Sequence, residues 1–152
     1  AYIDGFHGDA ARTFGVGQIS EQRQRLIDIT KESFFEGVKL VKVGNYLNKV
    51  SAAIQDYVES NGYGVVRDYV GHGIGRDMHE DPEIPNYRTG RQGPKLVKGM
   101  TLAIEPMVTV GTYKVHTLPN RWTVVTNDGS DSAHYENTVL VTDNEPELLT
   151  LV

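Results

Sequence analysis

The sequence predicts an α+β domain in which two helices precede a largely antiparallel sheet. Three observations carry that reading. Two segments of the first half repeat apolar residues at helical spacing. From Gly64 onward the chain turns to short, β-branched, partly alternating runs. A stretch rich in Pro, Gly and polar residues interrupts those runs.

The first helix is expected in "SEQRQRLIDITKESFFEGVKLV". Ser20 is a good N-cap, Glu21 suits the positive helix end, and Leu26, Ile27, Phe34, Val38 and Val41 form the apolar stripe. Gly44 ends that segment. Asn45 can cap the second helix, which places Leu47, Val50, Ile54, Tyr57 and Val58 on one face and stops at Gly62. "VVRDYV", "TLAIEPMVTV", "WTVVT" and "HYENTVLVT" read as strands. "DPEIPNYRTGRQGPKLVKG" reads as a loop, of a length that usually walls a binding site.

Composition narrows the chemistry. A length of 152 residues fits one domain with a real core. A net charge of −5, with no Lys/Arg run, sets nucleic acid aside as a partner. The absence of cysteine excludes disulfides, thiolate zinc sites and a cysteine nucleophile, and leaves His, Asp and Glu as metal ligands. No apolar run is long enough to span a membrane and no signal peptide is visible, which fits a cytoplasmic protein. The opening "AYIDG" reads as the middle of a strand pairing.

Four stretches carry polar groups that need explaining. In "DGFHGDAARTF" the Asp-Gly pair signals a hairpin turn, so that taken alone Asp9 decorates a strand leaving a turn. In "GHGIGRDMHE" three glycines surround His72, which suits a sharp turn or a close approach, and His79 follows seven positions on. In "TLAIEP" Glu105 shares a strand face with Thr101 and Ala103, opposite Leu102 and Ile104. A buried carboxylate is costly unpaired, so Glu105 needs an Arg partner or a metal ion. "SAHYENTVLV" repeats the problem, with His134, Glu136, Thr138 and Leu140 on one face. Two salt bridges would answer both strands, and so would one shared cation. Asp9, His72, Glu105 and Glu136 together make an oxygen-rich donor set suited to Mn, Fe, Co or Zn. Carboxylates that bridge two such ions lower the pKa of a bridging water and supply hydroxide at neutral pH. Neither "GxSxG" nor "HExxH" occurs.

In this order and spacing, "DGFHGDAARTF", "GHGIGRDMHE", "AIEPMV", "WTVVT" and "HYENTVLVT" resemble the type I methionine aminopeptidases over essentially the whole chain. The resemblance implies the pita-bread fold, mainly its C-terminal half: a curved antiparallel sheet with two helices packed on it. It implies that residues 1–152 are a single catalytic metallopeptidase domain that is incomplete at its N-terminal end. Asp9 and Glu136 would bridge two divalent ions (Co, Mn, Fe or Zn), and His72 and Glu105 would complete one ion's shell. The family's fifth ligand, an aspartate on the preceding hairpin strand, has no counterpart, so one ion is expected to be fully liganded. His79 and Glu105 would serve catalysis, and His79, Met78 and Trp122 the substrate. "HYEN" departs from the family, which usually has Gln and His around the Tyr-Glu pair. The implied activity is removal of N-terminal methionine from peptides and nascent proteins with a small second residue, by attack of the bridging hydroxide. The expected partners are those N-termini and the family's N-terminal segment, with self-association of the isolated chain and weak or no activity. A prolidase-like X-Pro peptidase and an inert peptide-binding pita-bread domain are the alternatives.

Overall fold

The alternation of apolar and polar residues in the second half builds one main sheet, with β9 and β10 pairing apart from it, and the helical stripes of the first half cover one face of the main sheet. The computed structural model describes residues 1–151. Strands β1 (Tyr2–Ile3) and β2 (Phe6–His7) form a hairpin, followed by β3 (Ala10–Arg12), α1 (Glu21–Val38) and α2 (Leu47–Ser60). Then come β4 (Gly64–Val65), β5 (Gly71–Gly73), β6 (Glu80–Ile84), β7 (Thr101–Ile104) and β8 (Met107–Thr109). The chain ends with β9 (Val115–Thr117), β10 (Val124–Thr126), β11 (Ser132–Leu140) and β12 (Glu147–Leu148). The main sheet runs β4-β8-β11-β7-β5-β6, and β3 and β12 pair along the other edge of β11. All these pairings are antiparallel.

β11 is the axis of the sheet. Asn137 faces Ile104 of β7, and His134 faces Met107 of β8. One unbroken register therefore runs from Thr101 to Thr109, with Glu105 opposite Glu136 and Pro106 opposite Tyr135. The Tyr135 amide donates to the Pro106 carbonyl at 3.3 Å. Strand periodicity sends Leu102, Ile104, Tyr135 and Val139 toward the helices. There they join Phe34, Val50 and Ile54 in the larger core cluster. Ala103, Glu105, Glu136 and Thr138 face the other way.

Ser20 caps α1 as its position suggests, accepting from the Arg23 amide at 3.3 Å. Leu26, Phe34, Val38 and Val41 are buried, although the helix stops at Val38 and a turn carries Val41 into the core. Gly37 lets the two helices approach, because a Cβ there would lie 2.7 Å from Ile54. Asn45 does not cap α2. The N-cap is Tyr46, while the Asn45 side-chain Nδ2 donates back to the Leu40 carbonyl at 2.9 Å and closes the preceding turn. Gly62, at φ +85°, follows α2 as its stop. The Asp4-Gly5 turn takes positive φ at both residues, as a tight two-residue hairpin demands.

Two strand readings change. Of "VVRDYV" only Val65 lies in a strand, as the last residue of β4 (Gly64–Val65). "DPEI", expected within a loop, belongs to β6, which pairs with β5 at the sheet edge, where proline is tolerated. Among the described residues, no helix is long and apolar enough to cross a membrane.

Candidate metal centre

The sheet face away from the helices gathers the polar side chains. His72 on β5 lies opposite Ala103 on β7, beside Glu105, and Glu105 lies across from Glu136 on β11. Asp9 arrives just before β3, which pairs with the same stretch of β11. Thr138 fixes its backbone: the Asp9 amide donates to Thr138 Oγ1 at 2.9 Å, and that hydroxyl donates to the Asp9 carbonyl at 3.0 Å. The four residues Asp9, His72, Glu105 and Glu136 thus meet at one place.

The glycines around His72 have a specific reason to be there. A Cβ on Gly71 would sit 2.2 Å from the Ala103 carbonyl oxygen, and one on Gly73 would sit 2.2 Å from that of Asp81. The close approach expected around His72 is therefore made by neighbouring strands. Gly73→Ala forces β5 away from β6 and should cost about 1–3 kcal/mol as an overpacked site. It should also weaken metal uptake by displacing His72. Thermal unfolding and calorimetric titration with Co(II) would check both.

Electrostatics mark this cluster as unbalanced. Glu136 is almost fully buried. Its carboxyl is pushed up to about 8, first by burial and then by the neighbouring charges of Glu105 and Asp9, with Arg12 opposing. The Arg12 guanidinium is committed elsewhere, donating to the main-chain carbonyl of Glu136 and to Asn137 Oδ1. Among the described residues, no Lys or Arg forms an ion pair with Asp9, Glu105 or Glu136. The arginine partner considered for Glu105 is not there.

The imidazoles complete the argument for a cation. His72 Nδ1 lies 2.9 Å from the Gly73 carbonyl, which can only accept, so Nδ1–H donates there and Nε2 is the nitrogen turned toward the cluster. That Nε2 faces Glu105 Oε1 at 3.5 Å. On the other carboxylate oxygen, His134 Nε2 faces Oε2 at 3.4 Å and is buried with no hydrogen-bond partner among the described residues. Asp9, His72 and Glu136 offer donor atoms within 4.8 Å of one another, and so do Glu105, His134 and Glu136. Three uncompensated carboxylates with imidazole nitrogens between them fit a divalent ion. Sequence reasoning had placed His134 on the Glu136 face without counting it as a donor.

A cleft of about 610 Å³ opens beside the cluster, lined by His72, His79, Glu80, Glu83, Glu105 and Met107 among others. His79 stacks edge-on against His72, with ring centroids 4.4 Å apart. A second, apolar cavity of about 380 Å³ adjoins it, sharing Tyr69 and Met107 and reaching His134, Val66, Val115 and Val124. Met78 and Trp122 line neither cavity. Met78 is partly exposed, and Trp122, in the turn between β9 and β10, is 87% exposed.

The sequence and the fold both have close matches among known proteins. The model of Metallopeptidase family M24 matches residues 1–143. The methionine aminopeptidase of Clostridium acetobutylicum is 66% identical over 99% of this chain and 60% of its own length. The crystal structure of methionine aminopeptidase from Thermotoga maritima superposes with a TM-score of 0.94 at 50% identity, over 98% of this chain and 60% of that one. Prolidase from Pyrococcus furiosus is more distant, with a TM-score of 0.73 and 26% identity over 98% of this chain and 38% of that one. The chain spans about 60% of the length of the methionine aminopeptidases it matches, and over that span its sheet and helices adopt their pita-bread fold. With its carboxylate and imidazole donors gathered on one sheet face, the chain belongs to metallopeptidase family M24.

Proposed function

We propose that this chain carries the metal centre of an aminopeptidase that removes N-terminal methionine from peptides and nascent proteins with a small second residue. The observation that carries the reading is the convergence of Asp9, His72, Glu105 and Glu136 beside an open cleft, in a chain whose near relatives are methionine aminopeptidases. Asp9, His72, Glu105 and Glu136 would hold the divalent ions. When bound, the ions supply Lewis acidity toward water and the scissile carbonyl.

The chain's own residues do the rest. Glu105, between two imidazoles, would accept a proton from the attacking water. Deprotonated donors are what the ions require, so metal binding releases protons, including the one Glu136 holds below about pH 8. His79 lines the cleft without belonging to either donor group and would donate to the oxyanion that develops on the scissile carbonyl. Met78 and Trp122 would contact the methionine side chain, although each lies at the surface of this chain.

The test is hydrolysis by the protein that carries this chain, loaded with Mn(II) or Co(II). Release of methionine from Met-Ala-Ser, with Ala-Pro left intact, is the expected result. Cleavage of Ala-Pro in preference would place the protein with the prolidases. Metal uptake with neither substrate cleaved would favour a peptide-binding role.

A further inference from the structure

We infer that His134 is a metal-ligating residue, joining Glu105 and Glu136 in a second three-donor group that shares Glu136 with the group of Asp9, His72 and Glu136. The inference rests on the metal-centre reading above and goes beyond the ligand set that the family resemblance implies, in which position 134 is usually a glutamine.

Three observations carry it. The His134 ring is about a third exposed, yet its Nε2 is buried, points into the carboxylate cluster and lacks a hydrogen-bond partner among the described residues. A buried nitrogen without a partner costs on the order of 1–3 kcal/mol unless something occupies the space in front of it. Its spacing from Glu105 Oε2, 3.4 Å, is the second observation. Two donors each about 2.1 Å from one ion, at a near-tetrahedral angle, lie about 3.4 Å apart. The His72–Glu105 spacing of 3.5 Å on the opposite carboxylate oxygen has the same chord. Glu105 is thus flanked by imidazole nitrogens on both oxygens, each at ligand-to-ligand distance.

The third observation is positional. β11 pairs with β8 through Ser132, Ala133 and His134, and the same strand carries Glu136 two residues on. Strand periodicity therefore aims His134 and Glu136 to one side by construction. An imidazole with two carboxylates is a donor set that Mn(II), Fe(II), Co(II) and Zn(II) all accept. Counting His134, each three-donor group contains one nitrogen and two carboxylates. The expectation of a single well-liganded ion came from a count that left His134 out.

Cobalt(II) alone serves as the probe. Calorimetric titration of the 152-residue chain should show two ions taken up, and proton NMR of the loaded chain should show two sets of hyperfine-shifted imidazole resonances. His134→Gln should weaken uptake of one ion at least about 10-fold and remove one set, and His72→Ala should remove the other. A His134→Gln chain with unchanged stoichiometry, affinity and resonances overturns the inference and leaves the metal-centre reading intact. Failure of the unaltered chain to bind Co(II) overturns both. If the variant does not fold, as judged by circular dichroism, the unaltered chain still decides: one set of resonances, lost in His72→Ala, overturns the role of His134.

Discussion

Glu136→Gln should have opposite effects on metal binding and on stability. Divalent ions should bind at least about 100-fold more weakly, because both three-donor groups lose a carboxylate. The metal-free chain should become more stable by on the order of 1–2 kcal/mol near pH 8. The sign follows from the proton balance. Burial and two neighbouring carboxylates push the folded-state pKa of Glu136 up to about 8, whereas an unfolded glutamate ionises near 4.5. Between those values the unfolded chain binds fewer protons, so the stability contributed by Glu136 falls as pH rises and levels off above about 8. The glutamine variant should lose that slope. Thermal unfolding of both metal-free chains between pH 5 and 9 would check it, with an expected rise of roughly 2–4 °C per kcal/mol. Equal or lower stability of the variant at pH 8 would mean that Glu136 is compensated by a partner other than a metal ion.

His79→Ala should lower kcat by on the order of 10²–10³ while metal affinity changes little. His79 lies against His72 and lines the cleft, but belongs to neither donor group. An imidazole so placed can reach a substrate carbonyl without surrendering a metal ligand. The measurement pairs Met-Ala-Ser hydrolysis with Co(II) titration on the same preparations, with His72→Ala alongside as the variant that loses metal. If His79→Ala loses metal and His72→Ala keeps it, the two histidines have been assigned the wrong way round.

The convergence of carboxylates was legible in the sequence because strand periodicity is strict. Once "TLAIEP" and "HYENTV" read as strands, Glu105 and Glu136 had to oppose their apolar neighbours, and the fold keeps them there. The helices were legible for the same reason, through Phe34, Val50 and Ile54. What escaped depended on pairing between distant segments. His134 looks like any strand histidine until the register with β8 and the position of Glu105 are known. β6 escaped because Pro82 and three acidic residues give it the composition of a loop, and only its edge position permits them. Asn45 was misplaced because its side chain is engaged elsewhere, its nitrogen donating to the Leu40 carbonyl in the turn behind and its oxygen accepting from Lys49 Nζ.

The unbroken register of β11 against Thr101–Thr109 would make an ion bound at this cluster a check on strand alignment. Side chains alternate with period two, so a slip of one residue would turn Glu136 into the apolar layer around Phe34 and turn Tyr135 out into the cleft. The misaligned chain would bury a carboxylate without a partner, a penalty of several kcal/mol. It would also scatter both donor groups. Only the aligned sheet brings the donors together, so added metal should draw refolding chains toward the aligned form by mass action. The appearance of the Co(II) visible spectrum during refolding would then time the moment at which these two strands find their match.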